Sequence, residues 1–179
     1  MLKFPDEKII RGCPPKFLLF DSCLLQNMCG KMGREIGDLL ALIQTESTPR
    51  ISDYSIYELL RGANRENNIK ITGILNKFQR YRITAEVLVV ASLLDTLYRE
   101  EKMEGGDYGD KILAATSVLT QAPIVTQNGQ HFPRPFFDEM NINFCKKTIF
   151  EYGNKRKHTI IHFLEPDYKA IKQKIKLRK

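Results

Sequence analysis

DKILAATSVLTQAPIVTQNGQHF, residues Asp110 to Phe132, is the stretch whose reading decides the fold. Its first half has the apolar spacing of a helix headed by an acid, from Asp110 to about Gln121. Its second half is a short apolar strand, PIVT, that runs into the polar residues Gln127 and Asn128. A helix followed at once by a buried strand is half of a βαβ unit. Capping explains an acid at a helix start, and a turn explains a polar loop. The same kind of junction recurs upstream.

KFLLFD, residues Lys16 to Asp21, reads as a buried strand that ends on an aspartate and leads into the helical SCLLQNMC. REIGDLLALIQ follows with Ile36, Leu39, Leu40 and Ile43 at helical spacing. TPRIS is a second short strand, and DYSIYELLRG a helix in which Ser55 and Glu58 fit a capping box and Gly62 the C′ position. ITGILNKF predicts a helix and QRYRIT a strand, with Thr84 placed to cap the long apolar helix AEVLVVASLLDTLYREEKM. Strands alternating with helices predict an α/β fold with a mostly parallel sheet, whose ligand site lies beyond the carboxyl ends of the strands.

Downstream the pattern changes. NFCKKTIFEYG and NKRKHTIIHFLEPD flank a Gly-Asn-Lys turn and predict an antiparallel hairpin. After Pro166, Tyr168, Ile171 and Ile175 recur at helical spacing amid lysines. The expected division is a first unit over 1–140 and an appended hairpin and basic tail over 141–179.

Composition narrows the function. The chain of 179 residues is 42% apolar and 27% charged, enough for a folded core. The segment from Pro166 onward holds six basic residues against one acid, which is +5 of the net +7. A polyanion partner suits such a tail, and so does a plain solvated charge run. No apolar run approaches a membrane span and the N-terminus lacks the apolar core of a signal peptide, so a cytoplasmic protein with no membrane role is expected. Cys13, Cys23, Cys29 and Cys145 form no CxxC pair, and no cysteine–histidine grouping has zinc-finger spacing.

Asp21, Glu58 and Asp110 each lie near a strand-to-helix junction or at a helix start, so a parallel sheet can bring them to one edge. Each, taken singly, is also explained by capping or by the helix dipole. Together they raise one another's pKa values, a conflict that a hard divalent cation such as Mg²⁺ or Mn²⁺ removes. Such an ion supports phosphodiester hydrolysis.

FLLFDS at 17–22, ISDYSIYELLRG at 51–62 and DKILAATSVLTQAPIVTQNGQHF at 110–132 resemble, in order and spacing, the motifs of a PIN domain, most closely of the VapC-type toxin kind. The resemblance spans roughly 16–135. It implies a PIN-like three-layer fold and a Mg²⁺- or Mn²⁺-dependent ribonuclease with Asp21, Glu58 and Asp110 as metal ligands. It also implies that Thr126 positions the loop or a water and that Asn128 holds the fourth position as a neutral amide. Asp107, one helical turn before Asp110 if the helix starts early, is a secondary candidate ligand. An RNA substrate, a protein antitoxin and a homodimer are the implied partners. Arg80, Arg82, Arg134, Lys155, Arg156 and Lys157 are candidates to hold RNA, although exposed charges are more often simply solvated. A non-catalytic PIN-like RNA-binding module is the alternative. A receiver-type phosphoacceptor domain would need a lysine after a late strand, and PIVTQNG supplies none.

Overall fold

The computed structural model describes residues 15–29, 33–61, 63, 65–140, 147–152 and 155–176, with side chains left out at 33–35, 65–66, 147–152 and 155–159. A six-stranded sheet forms the middle layer. Its strands are β1 (Phe17–Phe20), β2 (Thr48–Ser52), β3 (Gln79–Tyr81), β4 (Ile124–Thr126), β5 (Phe137–Glu139) and β8 (His162–Pro166), in the order β3-β2-β1-β4-β8-β5. The first four are mutually parallel, and β8 runs antiparallel to both β4 and β5. The α/β fold expected from the sequence is the one observed, with a mostly parallel sheet in which β8 alone runs the other way.

Two-residue alternation divides the core. Leu18 and Phe20 of β1, Val125 of β4 and Phe163 of β8 join one cluster, while Leu19, Ile124 and Leu164 join the other. The first cluster is completed by α1 (Ser22–Cys29), α2 (Gly33–Gln44), α3 (Asp53–Arg61) and α4 (Arg65–Leu75). The second is completed by α5 (Ala85–Glu100), α6 (Tyr108–Thr120) and α7 (Tyr168–Lys176). The central strands β1 and β4 are therefore buried on both faces, which is why FLLF and IVT read as continuous apolar runs rather than as alternation.

Local signals set the helix ends. Thr84 accepts the Val87 N–H at 3.3 Å and starts α5, as the sequence predicts. Two expectations need correction. Helix α3 starts at Asp53, where the Ser52 hydroxyl accepts the Ser55 N–H at 3.1 Å, so the cap is Ser52 and no Ser55–Glu58 box forms. Helix α6 starts at Tyr108 with Asp107 as its cap, and Asp110 lies one turn in. Gly62, expected at a C′ position, lies outside the described residues.

The C-terminal segment is divided differently from the expected hairpin and tail. Strands β6 (Lys147–Tyr152) and β7 (Lys155–Ile160) do form an antiparallel hairpin, with Tyr152 opposite Lys155. HFLEP, read as the far end of its second arm, instead enters the main sheet between β4 and β5. The basic helix α7 buries Tyr168 and Ile171 in the core beside it. Residues 162–176 are thus part of the main body. The sequence hides this because one continuous β-rich run, TIIHFLEP, serves two sheets.

Candidate functional site

Asp21 follows β1 and is buried, with its backbone N–H donated to Val125 O of β4 at 3.0 Å. Its carboxylate is held on both oxygens. Thr126 donates to Oδ2 at 2.6 Å, the Cys23 thiol to the same atom at 3.1 Å, and Ser22 to Oδ1 at 3.3 Å. Thr126, fully buried at the end of β4, also accepts the Asn128 N–H at 2.9 Å. One hydroxyl therefore fixes both the first acid and the loop that carries Asn128. The Cys23 thiol is pushed up to about 12, by burial first and by the Asp21 charge second, so it stays a thiol donor.

Asp107 and Asp110 form a closed capping box at the head of α6. Asp107 Oδ1 accepts from the N–H groups of Gly109 at 2.7 Å and Asp110 at 3.2 Å, and the Asp107 N–H returns to Asp110 Oδ2 at 2.8 Å. The same Asp110 oxygen lies 3.1 Å from His131 Nδ1, without the alignment of a hydrogen bond. Gly106 makes room for this pair. At φ +65° it favours glycine, and a Cβ there would sit 2.0 Å from Asp110 Oδ2. Lys111, a buried cation that sequence analysis passed over, ties the preceding loop to α6 by donating to Gly106 O at 2.6 Å and Asp107 O at 3.2 Å.

Glu58 reaches the same place from the second turn of α3. A cavity of about 170 Å³ is lined by Asp21, Glu58, Asp107 and Asp110 together with Ser22, Asn128 and His131. The acids feel one another. The Glu58 carboxyl is raised by burial and then by Asp107, Asp21 and Asp110, against a lowering contact from the Ser22 hydroxyl. The Asp110 carboxyl is raised by burial and by Asp21 and Asp107, against the Asp107 N–H and His131. No lysine or arginine lines this cavity among the described residues.

That donor set, hard oxygens with excess negative charge, fits Mg²⁺ or Mn²⁺ in kind. As they stand, Asp21 is turned to Thr126 and Asp110 to His131. Among the described residues no three acid, histidine or cysteine side chains are gathered for one ion.

The basic residues named from the sequence lie elsewhere. Arg80 is exposed on the edge strand β3, and Arg82 is exposed just past its carboxyl end. Two strand spacings separate β3 from β1, roughly 10 Å. Arg134 is exposed and faces Asp138 at 3.6 Å. Lys155, Arg156 and Lys157 lie on β7, and their side chains are outside the described residues. Ser22, Cys23, Gln26 and His131 are among the cavity residues that sequence analysis missed. For His131 the signal was present, in the short GQH run after Asn128. No helix among the described residues is long and apolar enough to cross a membrane.

No family model matches the chain, and no curated protein matches it. Solved structures do. VapBC2 from Rickettsia felis, bound to a DNA fragment from its promoter, aligns with a TM-score of 0.57 at 19% identity, over 63% of this chain and 87% of that one. DNA-bound VapBC from Salmonella typhimurium aligns with a TM-score of 0.57 at 18% identity, over 66% and 91%. A toxin–antitoxin complex from Klebsiella pneumoniae aligns with a TM-score of 0.53 at 22% identity, over 66% and 92%. At such identities the likeness is one of fold, and this chain has the PIN-like fold that its VapC-type motifs led us to expect.

Proposed function

We propose that the chain is a divalent-cation-dependent endoribonuclease and the toxin of a toxin–antitoxin pair. The observation that carries this is the convergence of Asp21, Glu58, Asp107 and Asp110, from β1, α3 and the head of α6, on one cavity without a neutralising cation of the protein's own. The fold likeness to toxin–antitoxin complexes supports the second half of the proposal and suggests a protein antitoxin as partner. A homodimer belongs to the same proposal.

Asp21, Glu58 and Asp110 would hold Mg²⁺ or Mn²⁺, with Asp107 as a further oxygen donor and Asn128 offering a neutral amide. When bound, the cation supplies charge to oppose that building on the phosphate oxygens and acidifies a coordinated water. The protein's own groups do the remainder. Thr126, Ser22 and Cys23 fix the Asp21 carboxylate, so little reorganisation accompanies substrate entry. Glu58, which lines the same cavity, would assist deprotonation of an attacking water. Arg80, Arg82 and Arg134 would meet the RNA backbone away from the acids.

The test is cleavage of RNA with and without Mn²⁺ by the wild type and by Asp21→Asn. Cleavage that needs the ion and is lost in the variant supports the proposal. A wild type that binds RNA without cutting it overturns the proposal in favour of an RNA-binding module.

A further inference from the structure

A second cavity, of about 650 Å³, adjoins the acidic one: His131 lines both, and Gly106 of the larger lies against Asp110 of the smaller, where a Cβ would sit 2.0 Å from Asp110 Oδ2. The two cavities thus meet at one imidazole, with Gly106 beside it. The larger is within the size range of small-molecule sites. Its lining differs from that of the acidic cavity. Arg99 and Lys111 bring two cations, and Asp95 faces both, at 3.1 Å and 3.7 Å. Glu104 adds a second acid, so the charged residues of the lining balance.

Gln130 contributes an amide with donors and acceptors, and Met103 a thioether. Tyr98 forms a buried part of the lining, and its hydroxyl has no hydrogen-bond partner among the described residues. Gly105 lies so close over the tyrosine ring that a Cβ there would stand 2.0 Å from its Cδ2. Backbone and ring therefore form a flat, fixed wall.

We propose that this cavity is a nucleobase subsite, taking the base of a nucleotide next to the phosphate held at the acidic cavity. This rests on the ribonuclease reading of that cavity. A charge-balanced cavity rich in hydrogen-bonding groups favours an uncharged, flat, polar ligand over a bare phosphate. A base extruded from single-stranded RNA has that character, and proteins read such bases by edge hydrogen bonds and by stacking. The shared His131 sets the geometry. A chain that places its phosphate beside Asp110 would bring its neighbouring base toward Gln130 and Arg99, the exposed polar residues of the adjoining lining.

The experiment uses the full chain carrying Asp21→Asn, titrated with adenosine, guanosine, cytidine and uridine 5′-monophosphates and with inorganic phosphate. Backbone amide shifts are followed by NMR. At least one nucleotide is expected to shift the amides of Gly105, Gly106 and Gln130, with phosphate leaving them in place. Adding Arg99→Ala and Gln130→Ala should weaken that nucleotide about tenfold or more, the loss expected for a charged hydrogen-bonding partner. Both residues are exposed, so the variants retain the fold. Absence of shifts with every nucleotide, shifts indifferent to the two substitutions, or equal shifts with phosphate alone would each overturn the subsite. RNA cleavage by the wild type is measured beside it. An active enzyme without nucleotide shifts sinks the subsite alone, and an inert enzyme with the shifts sinks the cleavage reading while supporting the base site.

Discussion

Thr126 donates its hydroxyl to Asp21 at 2.6 Å, joining the carboxyl ends of two neighbouring parallel strands at the floor of the acidic cavity. The same oxygen accepts the Asn128 N–H. Thr126→Val keeps the shape and removes both bonds. With two partners left short of a bond, the variant should lose about 1–3 kcal/mol of stability, measured by urea unfolding. Cleavage should fall further than stability explains, on the order of a hundredfold, because the first acid and the loop after β4 lose their common anchor. A variant with wild-type turnover would show that Thr126 serves packing alone.

The threonine also shows how much of the site could be read from the sequence. PIVTQN announced a strand ending at a polar loop, and FLLFD a strand ending at an acid. Parallel pairing of two such strands was enough to place Asp21 beside Thr126. Glu58 and Asp110 were legible as acids near helix starts that a parallel sheet can bring to one edge. The capping details were not. Ser52 competes with Ser55 for the start of α3, and Asp107 competes with Asp110 for the start of α6. Each pair offers two chemically valid caps within one turn, and tertiary packing chooses between them. Lys111, Arg99 and the larger cavity were invisible, because they come together only once α5 and α6 pack against each other. The fate of HFLEP was hidden likewise, since an apolar run carries no mark of which sheet it joins.

Asp107 separates its two roles by substitution. Asp107→Ala removes an N-cap and should cost about 1 kcal/mol. Asp107→Asn keeps the cap and removes the charge, so its stability should stay near wild type. Mn²⁺ affinity, read by calorimetry, should weaken in both variants if Asp107 helps to hold the ion. Weakening confined to the alanine variant would assign Asp107 to the helix start only.

The acid cluster also fixes a pH dependence. Burial and mutual repulsion raise the Glu58 and Asp110 carboxyls above their ordinary values. The folded state therefore binds more protons than the unfolded chain once pH exceeds the ordinary carboxylate range, about 4. Stability from this source is present below that range and is lost as pH rises through the raised values. Asp110→Asn should flatten this part of the stability–pH curve relative to wild type in metal-free buffer, as followed by thermal melting. Mn²⁺ should raise the melting temperature more at pH 7 than at pH 5, since the ion competes with those protons. Parallel wild-type and variant curves would mean that Asp110 titrates as an isolated carboxyl.

Cys23 offers a test of the site's interior that needs neither metal nor RNA. Its thiol donates to Asp21 and is pushed up to about 12, chiefly by burial and then by that charge. The thiolate is the reactive form, so alkylation at pH 8 should be slower at Cys23 than at an ordinary thiol by about three orders of magnitude, a thousandfold fall in thiolate fraction. Peptide mapping after iodoacetamide distinguishes it from the other cysteines. Cys29 should react faster than Cys23, because burial raises it without an adjacent acid and Lys70 opposes the shift. Asp21→Asn removes the neighbouring charge but not the burial, so it should quicken Cys23 labelling only in part. Rapid labelling of Cys23 in the folded wild type would mean that the thiol does not face Asp21. In that case the floor of the cavity would be built differently from the arrangement that holds Asp21 to Thr126.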